Sequence, residues 1–354
     1  MGKKITVGNR VLIAFVALFL ATGCFSLTIF PASRFSESEN RMLVELPAFT
    51  VKEFASGNYA SSLDVYAAER LPFRIPLRHG RSLLQLALGK HETGGVILCR
   101  DGSLARRIEV NNRVWHQNLT ALQALEKQGY TVAIAPRRID ARAEVLPLTY
   151  NAEDDRAPWG ELKSVLPHSL LLNTLTEDAQ WYRTDHHWST AGAYEAYCLL
   201  GDALGYTPTP ESGFKRQTVS TTFYGTSASA ASLPFLPPDC IELWHYDGEE
   251  TLTVHYDGTI GVLYDLSKLD TRDGYAVFQG GNHARTEITK GDRPTLLVIK
   301  DSFANSLLPF LAQHFNVLAI DPRYGNADLS TLRFDRALVL CGIQTLCQTT
   351  FLKI

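Results

Sequence analysis

Residues 294–305 read PTLLVIKDSFAN, and the fold turns on how that stretch divides. Pro294 to Ile299 is apolar but for Thr295, the signature of a strand buried on both faces. Asp301-Ser302 turns the chain, and a helix is expected from Ser302 to Phe315. Working outward, strands are expected at Val317–Ile320 (VLAI) and Arg336–Leu340 (RALVL). Upstream, Trp115 to Lys127 reads as a helix that ends before Gly129, and Tyr130 to Ala135 (YTVAIA) as a strand. Ser189 to Leu204 is a helix with Ala191, Tyr194, Ala196, Tyr197, Leu200 and Leu204 available for an inward face. Apolar strands alternating with helices define an α/β protein with a parallel sheet covered on both faces. Residues 205–290, rich in Thr, Tyr, Asp and Gly, break that rhythm. They read as an insertion of loops or a small sheet, with short β pieces at Thr251–His255 and Thr259–Leu263.

The chain has 354 residues, 45% hydrophobic and 20% charged, with a formal net charge of -3. That composition can bury a sizeable core, and it lacks the basic footprint of a nucleic-acid-binding protein. The six cysteines, Cys24, Cys99, Cys198, Cys240, Cys341 and Cys347, show no CxxC pairing or Cys/His spacing, which argues against structural zinc. Cys341 and Cys347 are open to a disulfide in an exported domain or to burial as free thiols.

At the N-terminus Lys3, Lys4 and Arg10 precede an uncharged apolar run from Val11 to Phe30. Such a length matches a bilayer core of roughly 30 Å at about 1.5 Å per residue. Flanking positive charge keeps the first residues in the cytoplasm and sends the rest of the chain outside. A single-pass signal anchor is therefore expected over residues 1–30. A cleaved signal peptide is the alternative, as is lipidation at Ala21-Thr22-Gly23-Cys24; each places the domain outside the cytoplasm. Residues 31–95, broken by Pro31, Pro47, Pro72 and Pro76, read as a membrane-proximal helical linker, with one or two amphipathic helices over Val51–Arg70. Residues 96–354 form the main domain.

Ser302 sits where chemistry is expected in such a sheet, beyond the carboxyl end of a strand. Its hydroxyl also meets a helix N-terminus, whose free N–H groups favour an oxyanion. Asp301 and Ser302 are equally good helix caps. A second polar turn, Tyr182 to Thr190 (YRTDHHWST), carries Asp185, His186 and His187. An Asp-x-His pair can orient an imidazole and stabilise its protonated form while it takes a proton from serine. The same trio could also bind a metal or cap a helix. The 115 residues between His187 and Ser302 leave these roles open on spacing alone.

The string DHHW (Asp185–Trp188) followed by KDSFAN (Lys300–Asn305) resembles the DHHW family, related to alginate O-acetyltransferase proteins of the AlgX and AlgJ type with SGNH-hydrolase-like domains. SESENRML (36–43), ERLPFR (69–74), FYGT (223–226), PDCIELW (238–244), QGGNH (279–283) and DPRY (321–324) extend the resemblance in order. It implies an SGNH-like domain in which Asp185 orients, His187 is the general base and acid, and Ser302 is the nucleophile. His186 is then a neighbour that packs or shapes the substrate site. The resemblance further implies an oxyanion hole built by Gly281 and Asn282 with the Ser302 N–H, while Asn305 reads as a helix-face residue. Arg323 and Tyr324, beyond another strand end, are candidates for sugar or uronate contact. Trp181, Trp188 and Trp244 read as core residues more readily than as sugar platforms. Two departures stand out: Lys300 replaces the usual glycine before Asp-Ser, and the triad order is reversed from conventional SGNH hydrolases.

The activity implied is acetyl transfer to hydroxyls of a cell-surface or secreted polysaccharide through an acetyl-serine, with a membrane-bound O-acyltransferase as donor relay and no cofactor or metal. Carbohydrate acetylesterase activity and non-catalytic polysaccharide binding with a vestigial triad are the competing readings.

Overall fold

The computed structural model describes residues 7–29, 35–36, 41–70, 73–151, 156–325 and 328–352. The chain divides into two compact units, Met1–Ala87 and Leu88–Ile354.

In the first unit, helix α1 (Val7–Ile29) precedes a minimal antiparallel pairing of β1 (Phe35–Ser36) with β2 (Arg41–Met42). Three helices follow: α2 (Val51–Ala55), α3 (Asn58–Glu69) and α4 (Arg74–Ala87). The expected helical stretch over Val51–Arg70 is two helices, because Gly57 adopts φ 80° and breaks the run. Thr50 caps α2 by accepting the Glu53 N–H at 3.2 Å. Among the described residues no helix is long and apolar enough to cross a membrane. Part of the anchor expected over residues 1–30 lies outside the described residues: positions 1–6 and 30, and the side chains of 7, 19–20 and 23–29.

The second unit opens with an antiparallel three-stranded sheet of β3 (Glu92–Thr93), β4 (Val96–Leu98) and β5 (Leu104–Arg106). The main alternation then runs α5 (Asn112–Lys127), β6 (Thr131–Ala135), α6 (Arg138–Ala141), α7 (Trp159–Val165), β7 (Leu170–Leu171) and α8 (Thr190–Leu204). Within 205–290 lie β8 (Lys215–Phe223), α9 (Thr226–Ala231), β9 (Asp239–His245), β10 (Thr253–Tyr256), β11 (Thr259–Ile260) and β12 (Arg285–Thr289). The chain closes with β13 (Thr295–Lys300), α10 (Leu308–Leu311), β14 (Asn316–Ile320), β15 (Arg336–Gly342) and α11 (Ile343–Gln348).

Eight strands form the central sheet in the order β11-β10-β12-β14-β13-β15-β6-β7. Pairing is parallel from β14 to β7 and antiparallel where β12, β10 and β11 extend the edge. The mostly parallel α/β sheet is thus as expected. The β pieces of 205–290 differ from a self-contained small sheet: β10 and β11 join the central sheet, and only β8 and β9 pair apart from it.

The two-residue period of a strand explains the layers. Leu296, Val298, Leu338 and Leu340 point to a core shared with Tyr197, Leu200 and Phe310. Their alternates Leu297, Ile299, Val339 and Cys341 meet Trp115, Leu119, Leu122 and Leu125 of α5 on the other face. Each such buried aliphatic contributes roughly 1.5–3 kcal/mol of transfer free energy. Cys341 and Cys347 are both buried and free.

One expectation next to the site is corrected. The long helix from Ser302 to Phe315 is instead a 3-10 turn, Ser302–Ala304, and the single-turn α10. Almost every side chain of this segment is buried, so it has no solvent face to support an amphipathic helix, and Pro309 sits at the start of α10 where its missing N–H is tolerated.

Candidate active site

The DHHW turn is closed at its base by a bridge between Trp181 and Trp188. Asp239 fastens it, accepting the N–H groups of Arg183 (2.9 Å) and Thr184 (2.8 Å) and the Thr184 hydroxyl (2.6 Å). Within the turn, Asp185 Oδ1 accepts both the backbone N–H of His187 (3.0 Å) and its Nδ1 (2.5 Å). That double contact is the physical content of the Asp-x-His spacing, since an Asp carboxylate reaches backbone groups two residues on.

Ser302 arrives from β13. Asp301 caps its turn by accepting the Phe303 N–H at 2.9 Å, and its other oxygen accepts Gly342 N–H (2.8 Å) and the Thr345 hydroxyl (2.6 Å). The Ser302 hydroxyl then lies 2.8 Å from His187 Nε2. Residues 115 positions apart therefore meet, and Asp185, His187 and Ser302 form one hydrogen-bonded line.

Protonation follows from the partners. Burial raises the Asp185 carboxyl, but the charges and hydrogen bonds of His186 and His187 outweigh it and hold the group well below the usual carboxylate range. An ionised carboxylate only accepts, so His187 Nδ1 carries the proton and Nε2 offers its lone pair to the Ser302 O–H. Burial pushes the His187 imidazole down to about 4, with His186 adding to the effect and Asp185 opposing it. The imidazole is thus neutral at neutral pH, with a lone pair able to accept a proton.

Side chains outside the two motifs complete the site. Thr226, at the start of α9, donates its N–H (2.6 Å) and hydroxyl (3.0 Å) to Asp185 Oδ2. Its hydroxyl also meets His186 Nδ1 at 2.8 Å. Tyr275 donates its hydroxyl to the Ser302 carbonyl at 3.1 Å. A pocket of about 250 Å³ opens over Ser302, lined also by Arg106, His186, Thr226, Arg323 and Gln344. Sequence reasoning missed Thr226 and Tyr275 as members of the site. Thr226 ended a recognised string, FYGT, while Tyr275 stood in no motif.

The Gly281 N–H is engaged by the Phe278 carbonyl at 3.1 Å, so it does not stand free for an oxyanion. Asn282 accepts from Asn305 Nδ2 (3.1 Å) and donates to the Tyr324 hydroxyl (3.4 Å). Asn305 is not a helix-face residue: it is buried and takes the Lys300 ammonium at 2.6 Å. Arg323 is held by Asp321 through two hydrogen bonds of 2.9 and 2.6 Å, and Tyr324 is exposed. Trp181, Trp188 and Trp244 are all buried. The ligand atoms of Asp185, His186 and His187 lie within 4.8 Å of one another, a spacing that can hold a cation. Both Nδ1 atoms are already engaged, that of His187 by Asp185 Oδ1 at 2.5 Å and that of His186 by the Thr226 hydroxyl at 2.8 Å.

Fold and site define an α/β protein with a serine, a histidine and an aspartate in hydrogen-bonded line at the carboxyl edge of its sheet. Residues 169–320, which hold both motifs, match the family described as DHHW protein, so the resemblance to that family is shown over this segment. Among solved structures, Bacillus cereus PatB1 is 18% identical with a TM-score of 0.57, covering 73% of this chain and 98% of that one. A DHHW family protein from Eubacterium siraeum is 18% identical with a TM-score of 0.55, covering 72% and 93%. PatB1 has also been solved with a sulfonyl adduct, at 16% identity, a TM-score of 0.55, and coverage of 72% and 98%. At these identities the likeness shows a shared fold. No curated protein sequence matches the chain.

Proposed function

We propose that the protein is a serine O-acetyltransferase that modifies sugar hydroxyls of a cell-surface or secreted polysaccharide. The observation that carries this reading is the hydrogen-bonded line Asp185–His187–Ser302 ending at a polar pocket. Ser302 attacks an acetyl donor while His187 takes its proton, and Asp185 stabilises the imidazolium that results. A sugar hydroxyl then takes the acetyl group from Ser302 with the proton transfers reversed. The resemblance to alginate O-acetyltransferase proteins favours a sugar over water as the acceptor.

Acetyl-CoA is absent outside the cytoplasm, so this reading includes a membrane-bound O-acyltransferase as the source of acetyl groups. It also places the second unit outside the cytoplasm, which rests on Lys3, Lys4 and Arg10 ahead of the uncharged stretch 11–30.

The test is turnover of a chromogenic acetyl ester with and without oligosaccharide. Turnover abolished by Ser302→Ala, with acetylated oligosaccharide among the products, is expected. A sulfonyl fluoride should add one sulfonyl group, at Ser302. Turnover that survives Ser302→Ala removes the serine mechanism. Free acetate as the sole product makes the protein an esterase, and sugar binding without turnover makes it a binding protein.

A further inference from the structure

We propose that His186 binds a second hydroxyl of the acceptor, so that a vicinal diol outcompetes water at the acetyl-serine, and that Thr226 fixes the protonation this needs. The inference rests on the acetyl-serine reading above and names what the acceptor must look like.

The protonation is set by counting hydrogens. Asp185 is an ionised carboxylate and can only accept. Thr226 has one hydroxyl hydrogen, and its Oγ1 lies 3.0 Å from Asp185 Oδ2, so that hydrogen goes to the carboxylate. The contact of 2.8 Å between Thr226 Oγ1 and His186 Nδ1 must then be donated by the imidazole. Asp185 Oδ1, 3.4 Å from the same nitrogen, favours the same hydrogen. In neutral His186 the lone pair is therefore on Nε2, which has no hydrogen-bond partner among the described residues.

The position is set by packing. The His186 and His187 rings lie with centroids 3.8 Å apart, and His186 lines the pocket that contains Ser302. Both rings carry their proton on Nδ1; His186 lines the pocket itself, and His187 meets it through Ser302. Only His187 Nε2 is engaged by Ser302. Rings whose centroids lie 3.8 Å apart can each meet one of two neighbouring hydroxyls on a sugar ring. In a vicinal diol the hydroxyl held by His186 is tethered to the attacking one and orients it, whereas an attacking water has no such tethered partner.

In the transfer step the attacking hydroxyl oxygen forms a bond to the acetyl carbonyl carbon and gives its proton to His187 Nε2. The tetrahedral intermediate then breaks the bond to Ser302 Oγ, which leaves with that proton. His186 accepts a hydrogen bond from the adjacent hydroxyl and takes no proton. Its contribution is orientation of the acceptor.

The experiment uses the full chain in detergent micelles with a chromogenic acetyl ester as donor. Methyl glucoside, which has vicinal hydroxyls, competes with ethanol at equal concentration, and both acetylated products and free acetate are measured. Wild type should favour the glucoside over ethanol. His186→Phe keeps a ring against His187 and removes the lone pair, and should lower that preference roughly tenfold, the scale of one hydrogen bond to an oriented partner. Thr226→Val should lower it similarly, and Thr226→Ser, which keeps the hydroxyl, should restore it. An unchanged preference in His186→Phe overturns the proposal, as does Thr226→Ser behaving like Thr226→Val.

Should the variants fail to fold, nitrogen NMR of histidine-labelled wild type decides the point, because a His186 protonated at Nε2 and bare at Nδ1 is incompatible with it. If wild type shows neither ester turnover nor sulfonylation at Ser302, the acetyl-serine reading fails and takes this inference with it. Turnover with intact Ser302 labelling but no preference for the diol overturns this inference alone.

Discussion

The imidazole of His187 lies flat against the phenol of Tyr275, with ring centroids 4.0 Å apart and planes within 6° of parallel. The same tyrosine donates to the Ser302 carbonyl and shares a hydrogen bond with Ser306, each at 3.1 Å. One side chain thus sets both the plane of the base and the position of the serine backbone. Burial pushes the phenol well above its ordinary range, so it remains a donor at every working pH. Tyr275→Phe keeps the stack and deletes the hydroxyl. Stability should fall by about 1 kcal/mol, because the Ser302 carbonyl loses one of its two donors and Ser306 loses a partner. Ester turnover should fall roughly tenfold with the serine less well held. Thermal unfolding alongside kcat/KM checks both, and a variant indistinguishable from wild type in turnover would remove Tyr275 from the site.

The depressed His187 imidazole fixes the acid limb of the pH profile. The base must be neutral, and kcat/KM reports the free enzyme. Activity should therefore persist as pH falls through 6.5 and collapse near the folded value of about 4. Stability has its own sign. Between about 4 and 6.5 the unfolded chain binds a proton here that the folded chain does not, so stability falls as pH drops through that window. The linkage is about 3 kcal/mol in all, at roughly 1.4 kcal/mol per pKa unit. Chemical unfolding at pH 7 and pH 4.5 should show a smaller difference in His187→Leu than in wild type. An activity limb centred near 6.5 would contradict this picture.

Much of the fold was legible because strands β6, β13, β14 and β15 are short apolar runs between helices, a pattern with one common solution. The pairing of His187 with Ser302 was legible through the family resemblance, since spacing alone is silent across 115 residues. The helix after Ser302 was misjudged because an apolar segment buried on nearly all sides carries no periodicity to read. Thr226 and Tyr275 were invisible for a different reason. Each reaches the site from an element remote in sequence, 41 residues from Asp185 and 27 from Ser302. No local pattern announces such a contact. Arg323 shows the converse: its position at a strand end was right for a ligand contact, but a partner two residues away holds its fork.

That partner, Asp321, is fully buried and serves two cations. It binds Arg323 through both carboxylate oxygens and lies 3.9 Å from the Lys300 ammonium. Lys300 is itself buried, which lowers its pKa to about 8 against the pull of Asp321. Asp321→Asn leaves a guanidinium and an ammonium without their counter-charge. The cost should be about 3–5 kcal/mol, as for other buried pairs broken from one side. Arg323→Gln should weaken folding more than it changes KM for a sugar acceptor, because its charge is already engaged. Urea titration and acceptor kinetics on the two variants separate these effects, and a large KM change with unaltered stability would return Arg323 to the substrate site.

Gly225 precedes Thr226 in the FYGT string. A Cβ built on Gly225 would lie 2.2 Å from Asp185 Cβ and 2.3 Å from its Oδ2. Gly225 has φ −80°, so its backbone suits any residue, and the constraint is space alone. Its own N–H donates to the Thr184 hydroxyl at 3.1 Å, which ties it to the turn it abuts. Gly225→Ala must therefore push Asp185 away from Thr226 or move the start of α9. Either shift lengthens the contacts that hold Asp185 against His187. Stability should drop by about 1–3 kcal/mol, the usual scale of overpacking. Turnover should drop by roughly 10²-fold or more, since a displacement of about 1 Å at a catalytic group has that effect. The pH profile discriminates strain from simple unfolding. With Asp185 displaced, His187 loses the carboxylate that opposes its depression, and the acid limb should move lower still. A Gly225→Ala protein that unfolds more readily yet keeps wild-type turnover at low temperature would show that Asp185 does not need this close seat.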